Sequence, residues 1–131
     1  FKSRRCLVPA SGFYEWQAQP QGKQPFCIRL AGGELFAFAG LYDIWRDDAG
    51  NELHSYTVVT TAPNELVAPI HNRMPVILRR ENEDAWLDPG SDTATLLGLL
   101  RAYPANLMEA YPVSRAVNSP ANDSVELAKA I

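Results

Sequence analysis

The chain has 131 residues, 47% of them hydrophobic and 21% charged, with a formal net charge of -3 at pH 7. This composition excludes a disordered or fibrous chain and predicts one globular domain, residues 1–131, able to bury about two thirds of the surface its unfolded form would expose. No apolar run reaches the ~20 residues that cross a bilayer, no signal-peptide pattern opens the sequence, and the negative balance argues against a wholesale nucleic-acid footprint; a cytoplasmic protein away from membranes is expected.

In chain order, β signals come first. Residues 5–9, 13–17, 26–30 and 35–42 are short runs rich in aromatic and β-branched residues, separated by the turn-forming stretches "QPQGKQP" and "AGG". They predict a meander of antiparallel strands. "RDDAGNE" (Arg46 to Glu52) is a further turn, and "HSYTVVTT" (His54 to Thr61) alternates and then turns apolar, as a strand entering a core does. In "APNELVAPIHNRMPVIL", Asn64 can cap a single helical turn over Glu65 to Ala68; Pro69 ends it, and Pro75 to Leu78 resumes as a strand.

"ENEDAWLDPG" predicts a short helix with acidic residues in its first turn and an Asp-Pro-Gly stop. "SDTATLLGLLRAYP" predicts an amphipathic helix capped by Ser91 or Asp92 and closed before Pro104. A strand starts at Leu107, and the polar C-terminal segment carries no secondary-structure signal. There is no repeat, and no interior linker marks a second domain.

Chemistry-bearing residues are few. With two histidines and no CxxC or HxxxH, metal-ligand spacing is absent, and neither a Gly-rich phosphate loop nor a GxSxG elbow is present. Cys6 and Cys27 read as reduced thiols in strands. Basic residues group as Lys2, Arg4 and Arg5, then as Arg73, Arg79 and Arg80, of which the last two read as a solvated face. What remains is Glu15, the one carboxylate in "GFYEW", and His71 in "PIHNRMP". Taken singly, a tryptophan-flanked carboxylate and a loop histidine are more often surface groups than catalysts, and His54 gives no functional signal.

Together, however, "RRCLVPASGFYEW", "KQPF", "AFAGLYDIW", "YTVVTTAPNELVAPIHNRMPVIL" and "PVSRAVNSPANDS" resemble successive blocks of the SRAP family. These are the SOS response-associated peptidases, now viewed as abasic-site processing proteins. The resemblance implies an α+β fold with a curved, mostly antiparallel sheet or barrel-like core and peripheral short helices. It implies single-stranded DNA containing abasic sites as partner, with no cofactor. Family members use an N-terminal cysteine, exposed by methionine removal or autoprocessing, whose amine condenses with the ring-opened deoxyribose and whose thiol closes a thiazolidine; lyase and peptidase activities belong to the same picture. By the resemblance this chain is the C-terminal portion of such a domain, without that cysteine and without the family's "NAR"-type block. Cys6 and Cys27 are not expected to replace it, so the chain alone is expected to be inactive in crosslinking.

The resemblance also assigns roles. Glu15 matches the family's active-site glutamate, and its flanking aromatics offer desolvation that favours proton exchange near neutrality. His71 matches the family's histidine, and an imidazole ordinarily titrates near pH ~6.5. Arg73 resembles the phosphate-binding arginine, with Thr60 as a hydroxyl donor gripping the backbone beside it. Tyr14, Trp16 and Trp45 are candidates for base stacking, with core packing expected for at least two of them. Two rival readings come from other classes: a non-catalytic single-strand-binding module, in which Arg73 and the early basic cluster hold phosphates, and a thiol peptidase acting on proteins.

Overall fold

The computed structural model describes residues 4–119 and 121–131. Its first half is strands: β1 (Arg5–Ala10), β2 (Phe13–Gln19), β3 (Gly22–Leu30), β4 (Phe36–Arg46) and β5 (Glu52–Val58). Shorter pieces follow: β6 (Thr60–Thr61), β7 (Met74–Pro75), β8 (Ile77–Leu78), helices α1 (Glu83–Leu87) and α2 (Thr93–Leu99), and β9 (Met108–Pro112). Every strand pair is antiparallel. One sheet runs β1-β4-β5 with β8 also on β4, a second runs β2-β3-β9, and β6 pairs β7. The architecture is the expected α+β one, with open sheets and no closed barrel among the described residues.

Several boundaries differ from the sequence expectation: β4 runs on to Arg46, the strand expected over residues 75–78 is split at Val76, α2 ends at Leu99, and three further differences have a local reason. The β2–β3 hairpin turns at Pro20 and Gln21 alone, so β3 begins at Gly22 and runs through Pro25, which "QPQGKQP" had suggested was still turn. A proline has no amide hydrogen to give; here the adjoining segment uses its carbonyl instead, which accepts from the Val113 N–H at 3.0 Å. The strand expected over residues 54–61 breaks at Val59, whose N–H goes to Ala39 and whose carbonyl takes the Val76 N–H. The C-terminal segment is also more ordered than its composition suggests. It forms 3-10 turns over Arg115–Asn118 and Val125–Ala128, and Val113 bridges to Ala130.

The first half of β4 is covered on both faces, which explains its unbroken apolar run. Phe36 and Phe38 point into a cluster with Ile28, Leu30, Val67, Ile70, Met74, Ile77 and Met108. Ala39 belongs to a second cluster with Val76, Leu78, Trp86 and Leu96. Beyond the reach of β1, the β4–β5 hairpin leaves Trp45, Leu53 and Tyr56 exposed.

β1 and β4 approach closely at Gly40, where a Cβ would lie 2.8 Å from Cys6 Sγ and 3.0 Å from a Val8 methyl. Gly40→Ala should therefore cost about 1–3 kcal/mol of unfolding free energy through overpacking. An unchanged urea midpoint would show that β1 does not pack this tightly.

Candidate active site

The site is a loop laid against a strand. Residues 62–73 leave β6 and return through β7, and the Thr60↔Pro75 and Thr61↔Met74 pairs close the loop at its base. Asn64, 9% exposed, fixes its start. As expected of a cap, its Oδ1 accepts from the Leu66 and Val67 amides, and its Nδ2 donates to the Tyr103 carbonyl at 2.7 Å. Val67, Ile70 and Met74 sink into the first hydrophobic cluster. The Val67 carbonyl accepts from the Ile70 and His71 amides, which tightens the turn and presents His71 at its end.

β2 supplies the other side. Phe13, Glu15 and Gln17 alternate onto one of its faces. Gln17 Nε2 donates to the Pro69 carbonyl at 2.9 Å, and Glu15 Oε1 lies 4.0 Å from His71 Nε2. That separation is too long for a direct hydrogen bond. A single oxygen placed between the two atoms can reach both at ~2.8 Å, an ordinary hydrogen-bond length.

His71 Nδ1 sits 3.2 Å from both the amide nitrogen and the carbonyl oxygen of Arg73. A neutral Nδ1 accepts from that N–H, whereas a protonated one donates to that carbonyl. The ring thus finds a backbone partner in either protonation state and keeps its orientation while a proton moves.

Arg73 is held by Thr60. Its Nη2 donates to the Thr60 carbonyl at 2.9 Å and to Oγ1 at 3.2 Å, and its Nε reaches the same hydroxyl at 3.4 Å. Thr60 therefore acts first as the acceptor that aims the guanidinium, leaving Nη1 to meet a ligand; its own O–H remains a donor.

Between these elements lies an open cavity of about 380 Å³ lined by Glu15, Trp16, Lys23, His71 and Asn118. Of the four residues singled out in the sequence, Glu15 and His71 line this cavity, whereas Arg73 and Thr60 pair with each other at the base of the His71 loop and are not among its lining residues. Lys23 and Asn118 were missed: each lay inside a family-like block, but nothing in local spacing marked it.

A family model described as SOS response associated peptidase (SRAP) matches residues 1–120. The chain belongs to the SRAP family. The abasic site processing protein YoqW of Bacillus subtilis (strain 168) is 53% identical over 127 residues, covering 95% of this SRAP chain and 57% of its own length. The abasic site processing protein HMCES of Xenopus tropicalis is 37% identical over 152 residues, covering 100% of this chain and 44% of its own. A crystal structure of a Bacteroides thetaiotaomicron protein superposes with a TM-score of 0.91 at 32% identity, over 99% of this chain and 58% of that one. This SRAP chain spans about half the length of the curated relatives it matches.

Several expectations about the SRAP site need correction. Tyr14 and Trp16, the sequence neighbours of Glu15, alternate to the opposite face of β2; the aromatic across the ladder on the Glu15 face is Phe26. The Glu15 side chain is 21% exposed, and of its two sequence neighbours Trp16 still reaches the rim of the cavity that Glu15 lines. Core packing does not claim two of the three candidate stacking residues. Tyr14 and Trp16 are half-buried, with their rings 6.5 Å apart, and Trp45 is exposed.

Two residues of the early basic cluster, Arg4 and Arg5, lie among the described residues. Arg5 is buried and donates to the Trp86 and Asp88 carbonyls, Arg4 pairs with Asp43, and Lys2 lies outside the described residues. Arg79 pairs with Glu81 and lies over the Tyr103 ring. Cys6 and Cys27 are free thiols; Cys27 is buried, Cys6 is half-buried, and burial pushes the Cys6 thiol above its ordinary pKa, away from the thiolate a nucleophile needs.

Proposed function

We propose that this chain carries the proton-transfer and backbone-gripping part of a site that processes abasic lesions in single-stranded DNA. The observation that carries the reading is the placement of Glu15 and His71 4.0 Å apart at one cavity, with the Thr60-held Arg73 on the same loop. The names of the relatives, abasic site processing proteins, support it.

In the reaction proposed, an N-terminal cysteine of the whole protein attacks the ring-opened sugar. Its amine adds to the C1′ aldehyde, the carbinolamine loses water to give an imine, and the thiol adds across C=N to close a thiazolidine. One water is released and nothing is oxidised or reduced. Two of these events need a proton at an oxygen: opening of the sugar ring and departure of the carbinolamine hydroxyl. Glu15 donates to the departing hydroxyl, and His71 shuttles the proton at the ring oxygen, steadied by its two alternative backbone partners on Arg73. Arg73 Nη1 holds a phosphate beside the lesion.

Arg73 is the residue to test. Arg73→Ala should weaken binding of an abasic single strand about tenfold, the loss of one charge-assisted hydrogen bond. It should also reduce the log–log salt slope by about 0.7, the contribution of one phosphate contact on a single strand. Titration by fluorescence anisotropy across a salt series reads both. An unchanged slope would return Arg73 to the scaffold. The non-catalytic alternative is separated by denaturing electrophoresis of the whole protein with abasic DNA, since only the crosslinking reading leaves a heat-stable adduct.

A further inference from the structure

The cavity has a wall that the proton-transfer chemistry does not use. Trp16 Nε1 donates to Asn118 Oδ1 at 2.6 Å, joining residues that are 102 positions apart, and both side chains line the cavity that holds Glu15 and His71. An indole N–H can only donate, so its partner atom must be the amide oxygen. The Asn118 amide hydrogens are then what is left for a ligand.

Asn118 is itself anchored independently of Trp16. It ends the 3-10 turn Arg115–Asn118, whose start is capped by the Ser114 hydroxyl accepting from the Ala116 amide at 3.1 Å. Asn122 Nδ2 donates to the Ala116 carbonyl at 2.8 Å, from the other side of the turn. The turn follows Val113, fully buried, whose N–H and carbonyl are both tied to β3 by Pro25 and Gln24. A half-buried indole on a strand would otherwise be free to change rotamer. Here a fixed acceptor holds it by its one polar atom.

We propose that Asn118 is a positioning residue for this site: it locks the Trp16 indole as the rigid wall against which the abasic nucleotide or its neighbouring base is seated. The consequence for DNA rests on the abasic-site reading above; the lock itself does not. A pre-set aromatic wall removes the entropy cost of ordering the ring when the strand binds, and base–aromatic stacking is a sequence-tolerant source of affinity.

The experiment uses the chain in two arms. In the first, indole N–H resonances and their hydrogen exchange are followed by NMR. The protein has three tryptophans, so Trp86, bonded to the Cys6 carbonyl, and the exposed Trp45 act as internal controls. Asn118→Ala should speed exchange at Trp16 at least about tenfold, the loss of one well-made hydrogen bond, while Trp86 stays unchanged and so reports an intact fold. Asn118→Asp keeps an acceptor and should restore Trp16 protection.

In the second arm, Asn118→Ala should weaken binding of an abasic single strand about fivefold. Unchanged exchange at Trp16 overturns the lock, whatever DNA does. Lost protection with unchanged affinity, while Arg73→Ala still weakens binding, overturns the positioning role and leaves the functional reading standing. If neither Asn118→Ala nor Arg73→Ala alters affinity, both fall.

Discussion

Glu15→Gln is expected to slow covalent capture of an abasic single strand about a hundredfold, the scale of a lost general acid, while leaving affinity for that strand nearly unchanged. The assay is single-turnover crosslinking by the whole protein under saturating DNA, read on denaturing gels. The reasoning is that glutamine keeps the shape and the hydrogen-bonding reach of Glu15 but cannot release a proton. Binding should survive because the side chain is not the phosphate anchor; the dehydration step should not, because hydroxide is a poor leaving group without a proton donor at its oxygen. His71→Ala should behave differently, slowing capture less than Glu15→Gln does, because it removes a shuttle rather than the donor at the departing hydroxyl. A Glu15→Gln rate equal to that of the parent would make the Glu15–His71 proximity structural.

That proximity was legible only in part from the sequence. The strands were announced by aromatic and β-branched runs between turn residues, and the Asn64 cap was visible because an asparagine before an apolar turn has few other uses. Glu15 and His71 could be picked out as residue types. Their neighbours could not: adjacency in "YEW" suggested aromatic shielding of Glu15, but a strand's period of two sends those rings to the other face, and the aromatic paired with Glu15 across the ladder is Phe26. Thr60 and Arg73 meet because a two-residue ladder closes their loop, a pairing too short to leave a periodic signal.

The C-terminal segment failed to show for another reason. Its order comes from side chain to backbone bonds made by Ser114 and Asn122, by residues whose composition resembles that of a disordered tail. Asn118 was invisible in consequence, since its partner Trp16 lies on the second strand.

The largest stability effect should come from Trp86, far from this chemistry. Trp86→Ala is expected to cost about 3–5 kcal/mol, a large part of the 5–15 kcal/mol typical of a folded domain. The ring is fully buried among Ala39, Val76, Leu78 and Leu96, and its Nε1 donates to the Cys6 carbonyl at 3.0 Å. Truncation removes the apolar contact, opens a cavity and takes a side-chain donor away from that carbonyl together. Arg5→Met separates the terms. Arg5 stacks 5.7 Å from the Trp86 ring centre and donates to the Trp86 and Asp88 carbonyls at 2.6 and 2.8 Å. Methionine keeps much of its volume and removes the donors, so the loss should be smaller, about 1–3 kcal/mol for carbonyls left without that partner. Because Trp86 belongs to the second cluster and the His71 loop is rooted in the first, the folded fraction of either variant should still bind abasic DNA. Urea unfolding with an unchanged m-value reads the difference. A Trp86→Ala loss below about 1 kcal/mol, the size of an ordinary substitution, would mean that α1 does not seal the β1–β4 sheet and that the second cluster does not hold the fold.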